Sequence, residues 1–425
     1  MKCGVAGAEI TPQPGPVLQG HWSTNPSKSV LYPLEIRAIA FEHDGTRTAI
    51  VTVDVIGVTK ATTDQIRAGV EREHGIVGDH LTVACSHTHC APGTLPCLGM
   101  TPAEDWLKRI VDTAVACVGE ALQNIQPVQL AVGCGSVHFN ISRRPLPGTA
   151  SMMLNFGGLV DRRARVLRVE AEDGSALAVL FHYSCHPTTK SGSEGDISPD
   201  YPGIARRVVE ESIGCKALFL AGCFGNVRPA ILHPETGGFT SATKEQLDAC
   251  GEELGREVAR VAESLKAQPA TRLAARRTDV DIKFGDLMPT DELQKMADDP
   301  SDRGRLLTGP WAKHVLEMVA SGTVPKVRPT EMQVMAVGPL TLVTIPGEPV
   351  QEIGHAIEKS LKGTLDVDDV WPVGYANDEI GYLCTDRHYG EGGYEPNAYP
   401  YYGEPARFLN EEDTIVKTAE ELAEA

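Results

Sequence analysis

A chain of 425 residues with 42% hydrophobic content holds enough apolar side chains for one large core or two packed ones, so a globular fold is expected. Acidic residues outnumber basic ones 57 to 39, a formal charge of −18, and no basic stripe offsets it, which weighs against nucleic acid and anionic membranes as partners. Eleven cysteines without CxxC spacing, a start lacking an apolar signal core, and no run near the roughly 20 apolar residues of a membrane span point to a reducing, cytoplasmic location.

Ala38 to Phe41 and Thr48 to Val53 flank Asp44-Gly45, the mark of a strand pair joined by a tight turn. The apolar strand Leu81-Thr82-Val83-Ala84 then runs into Cys85-Ser86-His87-Thr88-His89-Cys90-Ala91-Pro92-Gly93, and in extended chain imidazoles at i and i+2 share one side of the sheet. A helix is expected from Thr101 as N-cap with Pro102 at its first position, burying Trp106, Ile110, Ala114, Cys117 and Ala121. A second strand, Ala178 to Tyr183, leads through Ser184-Cys185 to His186-Pro187, where the proline ends it. His182, inside that strand, reads as a hydrogen-bonded core imidazole.

Leu247, Leu254, Val258, Val261 and Leu265 recur at helical spacing, so an amphipathic helix spans roughly 244–265. The stretch 278–330 is charged and proline-punctuated and reads as a helical cover or lid over an otherwise single domain of 1–425. Strands resume at Met332 to Val337 and Leu340 to Ile345, and a helix follows near Gln351 to Leu361. The fold class is α/β, with mixed β-sheets flanked by helices. Without GxGxxG or GxxxxGK[ST], dinucleotide and P-loop nucleotide binding lose support and hydrolysis gains.

Two histidine-bearing strand ends suggest a metal site, because zinc takes nitrogen, oxygen or thiolate ligands and a catalytic site keeps about three of them plus one open position. His87 and His186 are the candidate imidazoles, and Glu348, placed after a strand by the Pro346-Gly347 turn, is the best carboxylate. Plainer readings stand beside these: a histidine at a strand end is often a satisfied core group, and Glu348 also suits the N-terminus of the next helix.

His87-Thr88-His89-Cys90-Ala91-Pro92-Gly93 resembles the HTHSGPG segment of the neutral, non-lysosomal ceramidases, and His186-Pro187-Thr188 resembles their HPT. Pro346-Gly347-Glu348 looks like their PGE, Ala376 to Thr385 like their SNxYxxYxTT block, and Gly4 to Pro12 like their opening GxAxxxITP, so the likeness runs in order along nearly the whole chain. It implies a ceramidase catalytic-domain fold and a Zn2+ ion held by His87, His186, Glu348 and the phenol of Tyr382. His89 is then a substrate-facing group and the candidate general acid or base. Asp54 matches a strand-end aspartate that orients a ligand imidazole, and Asp200 has the same possibility or a substrate contact; either also reads as a cap. Arg143 and Arg144 lie near the family's NRS-type arginine, one of them on a substrate oxygen, the alternative being a solvated basic pair.

Two departures bear on the substrate. Where the family carries GDVSPN, this chain has Gly225-Asn226-Val227-Arg228-Pro229-Ala230, and a guanidinium is no nucleophile but clamps a carboxylate, favouring a small polar or anionic substrate. The chain also ends soon after Phe408, where the family continues into an immunoglobulin-like domain. The activity implied is zinc-dependent hydrolysis of an amide, ester or lactone by activated water, with zinc and Arg143 or Arg228 stabilising the oxyanion. The alternatives are a cysteine hydrolase built on Cys85, on one strand face with His87 and His89, or on Cys90, Cys185, Cys223 or Cys384, which border the other motifs, and a metal-containing binding protein without turnover. The tyrosine-rich loop from Gly390 to Gly403 suits a substrate wall or an interface, and the sequence leaves the oligomeric state open.

Overall fold

The computed structural model describes residues 1–21, 25–96, 100–145, 152–301, 304–364 and 369–424. Its frame is an eight-stranded mixed sheet in the order Lys216–Ala221, Ala176–Tyr183, Arg163–Ala171, Gln126–Ser136, Lys2–Glu9, Glu35–His43, Thr46–Val53 and Leu81–Cys85. The pairs are antiparallel except at the two edges, where Lys216–Ala221 runs parallel to Ala176–Tyr183 and Leu81–Cys85 parallel to Thr46–Val53. Each parallel pair needs a crossover, supplied by the helices Asp200–Ile213 and Lys60–His74. A second, five-stranded sheet runs Asp369–Val373, Leu340–Thr344, Val327–Val337, Leu273–Phe284, Phe408–Leu409.

Both faces of the larger sheet are buried, so its strands read as nearly continuous apolar runs. In Glu35–His43 the alternation sends Ile36, Ala38 and Ala40 into the core beneath the helices, and Ile39 and Phe41 into the core against Met335, Leu340, Leu342 and Trp371 of the second sheet. The outer face of the second sheet is covered by Gln351–Thr364 and Glu411–Glu424, with Ile353, Ile357, Ile415 and Ala419 buried. The layers are therefore helix, sheet, sheet, helix. Among the described residues no helix is long and apolar enough to cross a membrane.

Most expected elements are present. Glu35–His43 and Thr46–Val53 form the hairpin, with Asp44 and Gly45 at φ 47° and 82° as a type I′ turn requires. The helix Glu104–Gln123 buries all five expected side chains but starts later than the Thr101-Pro102 signal, with Glu104 and Asp105 in its first turn suiting the positive end of the dipole. Lys244–Ser264 opens on a Thr243/Gln246 capping box. His182 is buried, its Nε2 2.9 Å from the Pro372 carbonyl.

The reading of 278–330 as helical is corrected at both ends: Leu273–Phe284 and Val327–Val337 are paired strands, in register from Leu273↔Val337 to Lys283↔Val327. Val280 and Ile282 are the buried members of a period-two pattern that the charges between them obscure. Helices lie only between the strands, at Thr290–Ala297 and Gly309–Ser321, with a π turn at Gly304–Thr308. Leu293, Trp311 and Val315 join them, and Trp311 also packs on Tyr399 at 5.7 Å and donates to the Glu404 carbonyl at 2.9 Å.

Candidate metal centre

The strand leading to His87 is one edge of the eight-stranded sheet, the strand leading to His186 lies next to the other edge strand, Lys216–Ala221, and the two edges lie in contact because the sheet curls. One short segment laces them together. Gly374 N–H donates to Ala221 O at 3.1 Å on one edge, while Cys85 N–H donates to Tyr375 O at 3.0 Å and Asn377 N–H to Val83 O at 2.8 Å on the other. Tyr375 N–H reaches Gly347 O at 2.9 Å, tying in the turn that precedes Glu348. Side chains at the carboxyl ends of parallel strands are thereby brought to one place, the usual location of sites in such sheets.

His87 lies beyond the strand in left-handed backbone, φ 64°, so the expectation that His87 and His89 share one side of an extended chain does not hold. Their rings converge all the same. His87 Nδ1 faces the Ile56 carbonyl, His89 Nδ1 the Gly20 carbonyl at 2.9 Å, and His186 Nδ1 the Phe224 carbonyl at 3.1 Å. Because a carbonyl only accepts, each Nδ1 carries the proton and each Nε2 presents a lone pair. His87 Nε2 is 3.0 Å from His186 Nε2 and 3.2 Å from His89 Nε2, and Glu348 Oε2 lies 3.3 Å from both His87 and His186 Nε2.

Glu348 is held by its neighbours on both sides. Gly347 takes φ 64°, and a Cβ there would sit 2.3 Å from the Gly381 carbonyl, so the turn needs glycine. Glu348 then pairs in parallel with Tyr382, which sets two of the implied ligands side by side on one short ladder. Its Oε1 accepts from the Tyr402 hydroxyl, and its buried Oε2 has no hydrogen-bond partner. The first-turn acid of the following helix is Glu352, so Glu348 is not there to complement the dipole.

Four acceptors facing one point, with no donor among them, repel one another unless a cation lies between. Edges of about 3.4 Å are what ligand atoms roughly 2.1 Å from a tetrahedral ion would make, close to the spacings found. The residues fit a divalent cation. Burial pushes His89 and His186 well below the usual histidine range, the neighbouring imidazoles and Arg143 adding to the effect, so both rings are neutral and ready to ligate.

Arg143 is buried at the rim. It donates to Glu395 Oε1 at 2.9 Å, Gly225 O at 2.6 Å and the Tyr382 phenol oxygen at 2.8 Å. Burial pushes the Tyr382 phenol well up while Arg143 pulls it down, so Tyr382 is a protonated phenol that a cation or the guanidinium favours ionising. Arg144 turns away, donating to Glu395 Oε2 and the Gly392 carbonyl, both at 2.6 Å, which anchors the tyrosine-rich loop. Arg228 is half-buried beside the His186 turn, its guanidinium 4.5 Å over the Phe239 ring.

Asp54 and Asp200 lie away from these contacts. Asp54 is buried in a two-point pair with Arg206 and accepts from the Glu35 amide at 2.9 Å, while the backbone of Ile56 takes the imidazole-orienting role expected of it. Asp200, in left-handed backbone at φ 56°, accepts from the Lys190 and Tyr201 amides at 2.9 and 2.7 Å and so fixes the loop after His186 from within. Sequence reasoning missed Tyr402 on Glu348, Glu395 between the two arginines, and Tyr375, stacked 4.1 Å from Phe224 and 4.2 Å from His87. The tyrosine density of 390–403 was the available signal for Tyr402.

Residues 28–248 match the family model for neutral/alkaline non-lysosomal ceramidase, N-terminal. The chain belongs to that family. A curated relative, the neutral ceramidase of Pseudomonas aeruginosa, is 25% identical over 259 residues, 56% of this chain and 38% of the relative, so the sequence match spans well under half of that protein. The crystal structure of neutral ceramidase from Pseudomonas aeruginosa superposes with a TM-score of 0.73 at 20% identity, covering 99% of this chain and 75% of that one. A ceramidase complexed with C2 gives a TM-score of 0.76 at 20% identity, over 100% and 75%. The α/β ceramidase fold therefore extends over the whole described chain, beyond the residues matched by the family model. Within that fold Arg228 stands on the short strand Val227–Pro229.

Proposed function

We propose that this chain is a zinc-dependent hydrolase that cleaves an amide bond of a small polar substrate, with His87, His186 and Glu348 as cation ligands and Tyr382 as a fourth. The reading is carried by one observation: the lone pairs of His87, His186 and His89 Nε2 and the unpartnered Glu348 Oε2 face one another across 3.0 to 3.3 Å. Family membership supports the reaction class. A divalent cation there would supply Lewis acidity, lowering the pKa of a water toward about 7 and polarising an acyl oxygen.

The protein's own groups account for the rest. Backbone carbonyls fix each imidazole tautomer, and Tyr402 fixes the Glu348 rotamer, so little reorganisation is needed at the site. Arg143, kept charged by Tyr382 and Glu395 against the cost of burial, stabilises negative charge developing on a substrate oxygen. His89, neutral with a free Nε2, either completes the ligand set or accepts the proton of the attacking water.

The thiol alternative loses ground because burial pushes Cys85, Cys90 and Cys185 well above the usual thiol range, leaving no ready thiolate. Treatment with a chelator should abolish turnover of short N-acyl amides and zinc should restore it, while iodoacetamide should leave it intact. Survival in chelator with loss on alkylation would reverse the assignment.

A further inference from the structure

We infer that Arg228 is a specificity residue, receiving a carboxylate of the substrate beside the metal centre. It stands on the short strand Val227–Pro229, whose Val227 carbonyl accepts the His186 N–H at 3.1 Å, so its side chain leaves the backbone one residue from the turn that holds a candidate ligand. Arg228 is close enough to Arg143, Tyr382 and His21 for their charges to interact, and the His21 ring lies edge-on to His89 with centroids 5.1 Å apart. The guanidinium therefore lies in the neighbourhood of the imidazoles, its Nη2 toward the Thr188 carbonyl two residues beyond His186.

What distinguishes Arg228 is the absence, among the described residues, of a direct ion pair: the Asp200 carboxylate acts on it only from a distance. Among the described residues the buried guanidiniums are each paired: Arg143 and Arg144 with Glu395, Arg165 with Glu358, Arg206 with Asp54, Arg37 with Glu210 and Arg67 with Glu331. Arg228 has a single hydrogen bond, Nη2 to the Thr188 carbonyl at 3.5 Å, the outer limit for such a bond, and its Nε has no partner. Burial and the Arg143 charge push it down to about 10, so it still carries its proton at neutral pH.

A partly buried cation without an ion pair carries a desolvation cost that a ligand carboxylate would offset. Phe239 stacks on the guanidinium plane at 4.5 Å, which holds the plane and leaves its edges for planar two-point pairing with a carboxylate. One guanidinium in a molecule of charge −18 suits a single negative charge better than a dianionic phosphate, whose second charge would go unpaired. The inference depends on the hydrolase reading only for the position of the bond to be cleaved.

Calorimetric titration of the zinc-loaded full chain with succinate and with its monoamide, succinamate, tests this directly, since the two differ by one carboxylate and either can place its remaining carboxylate elsewhere. Wild type should prefer succinate by about tenfold or more, the worth of a charged hydrogen-bonded pair. In Arg228→Met the preference should fall to about twofold or less, and Arg228→Lys should recover part of it, with zinc content and circular dichroism unchanged in both. An undiminished preference in Arg228→Met, no preference in wild type, or no binding of either compound overturns the inference. Hydrolysis is read separately: amides turned over equally well with and without a carboxylate contradict the assignment of Arg228 alone, whereas the binding preference without any turnover removes the hydrolase and leaves Arg228 as described.

Discussion

His89 and Tyr402 carry the most informative residue-scale predictions. With His89 Nε2 3.2 Å from His87 Nε2, His89→Ala separates its two roles: a ligand role lowers zinc affinity along with turnover, and a proton-accepting role leaves zinc content intact while turnover falls by about 10² to 10⁴. Equilibrium dialysis with zinc, run beside the amide assay, distinguishes them. Tyr402→Phe removes the hydroxyl that holds Glu348, and the expected loss in zinc affinity is about 10- to 100-fold, as for other groups that orient a ligand from behind. Unchanged affinity in that variant would show that Glu348 needs no such support.

At the scale of elements, the site depends on pieces that do not touch the cation. The helices Thr290–Ala297 and Gly309–Ser321 pack through Trp311 on Tyr399 and the Glu404 carbonyl, bracketing Tyr402, so the insertion stiffens the segment that orients Glu348. Trp311→Ala should cost up to about 3 to 5 kcal/mol of stability and lower kcat/KM, and its effect on kcat/KM should be much smaller when Tyr402 is already phenylalanine. Additive losses in the double variant would mean the helices are mere covering. Gly347→Ala forces a side chain to within 2.3 Å of the Gly381 carbonyl at positive φ, and the pairing of Glu348 with Tyr382 should loosen, read as a fall in both Tm and zinc affinity.

What was legible in the chain at this scale was local. Apolar alternation, the Asp44-Gly45 turn, the amphipathic helix at Lys244–Ser264 and the Pro346-Gly347 bend each rest on a few neighbouring residues, and each is present. The candidate ligands were also legible, because motifs at strand ends announce themselves. Partnerships across long separations were not: Asp54 finds Arg206, Glu348 finds Tyr402, and Tyr375 laces the two sheet edges, all set by how the sheets fold on each other. The strand Leu273–Phe284 was hidden because one face is exposed and charged, leaving Val280 and Ile282 as its buried signal.

The whole molecule should be acid-sensitive for reasons apart from catalysis. Burial, with Arg165 nearby, pushes His182 down to about 3, whereas the unfolded chain protonates near the ordinary 6.5. Between those values the unfolded state binds the extra proton, so stability falls as pH drops from 6.5 toward 3 and this contribution is fully present only above 6.5. Thermal melts from pH 7 to pH 4 should show wild type losing stability more steeply than His182→Gln; parallel slopes would remove His182 from the account. The acidic surface, by contrast, predicts no retention on heparin at physiological salt.

The centre itself is tested most directly by anomalous diffraction at the zinc absorption edge from crystals of the zinc-loaded chain. The account predicts one strong peak about 2.1 Å from the Nε2 atoms of His87 and His186 and from Glu348 Oε2. A crystal with no peak there, or with zinc bound only at another place, would contradict it.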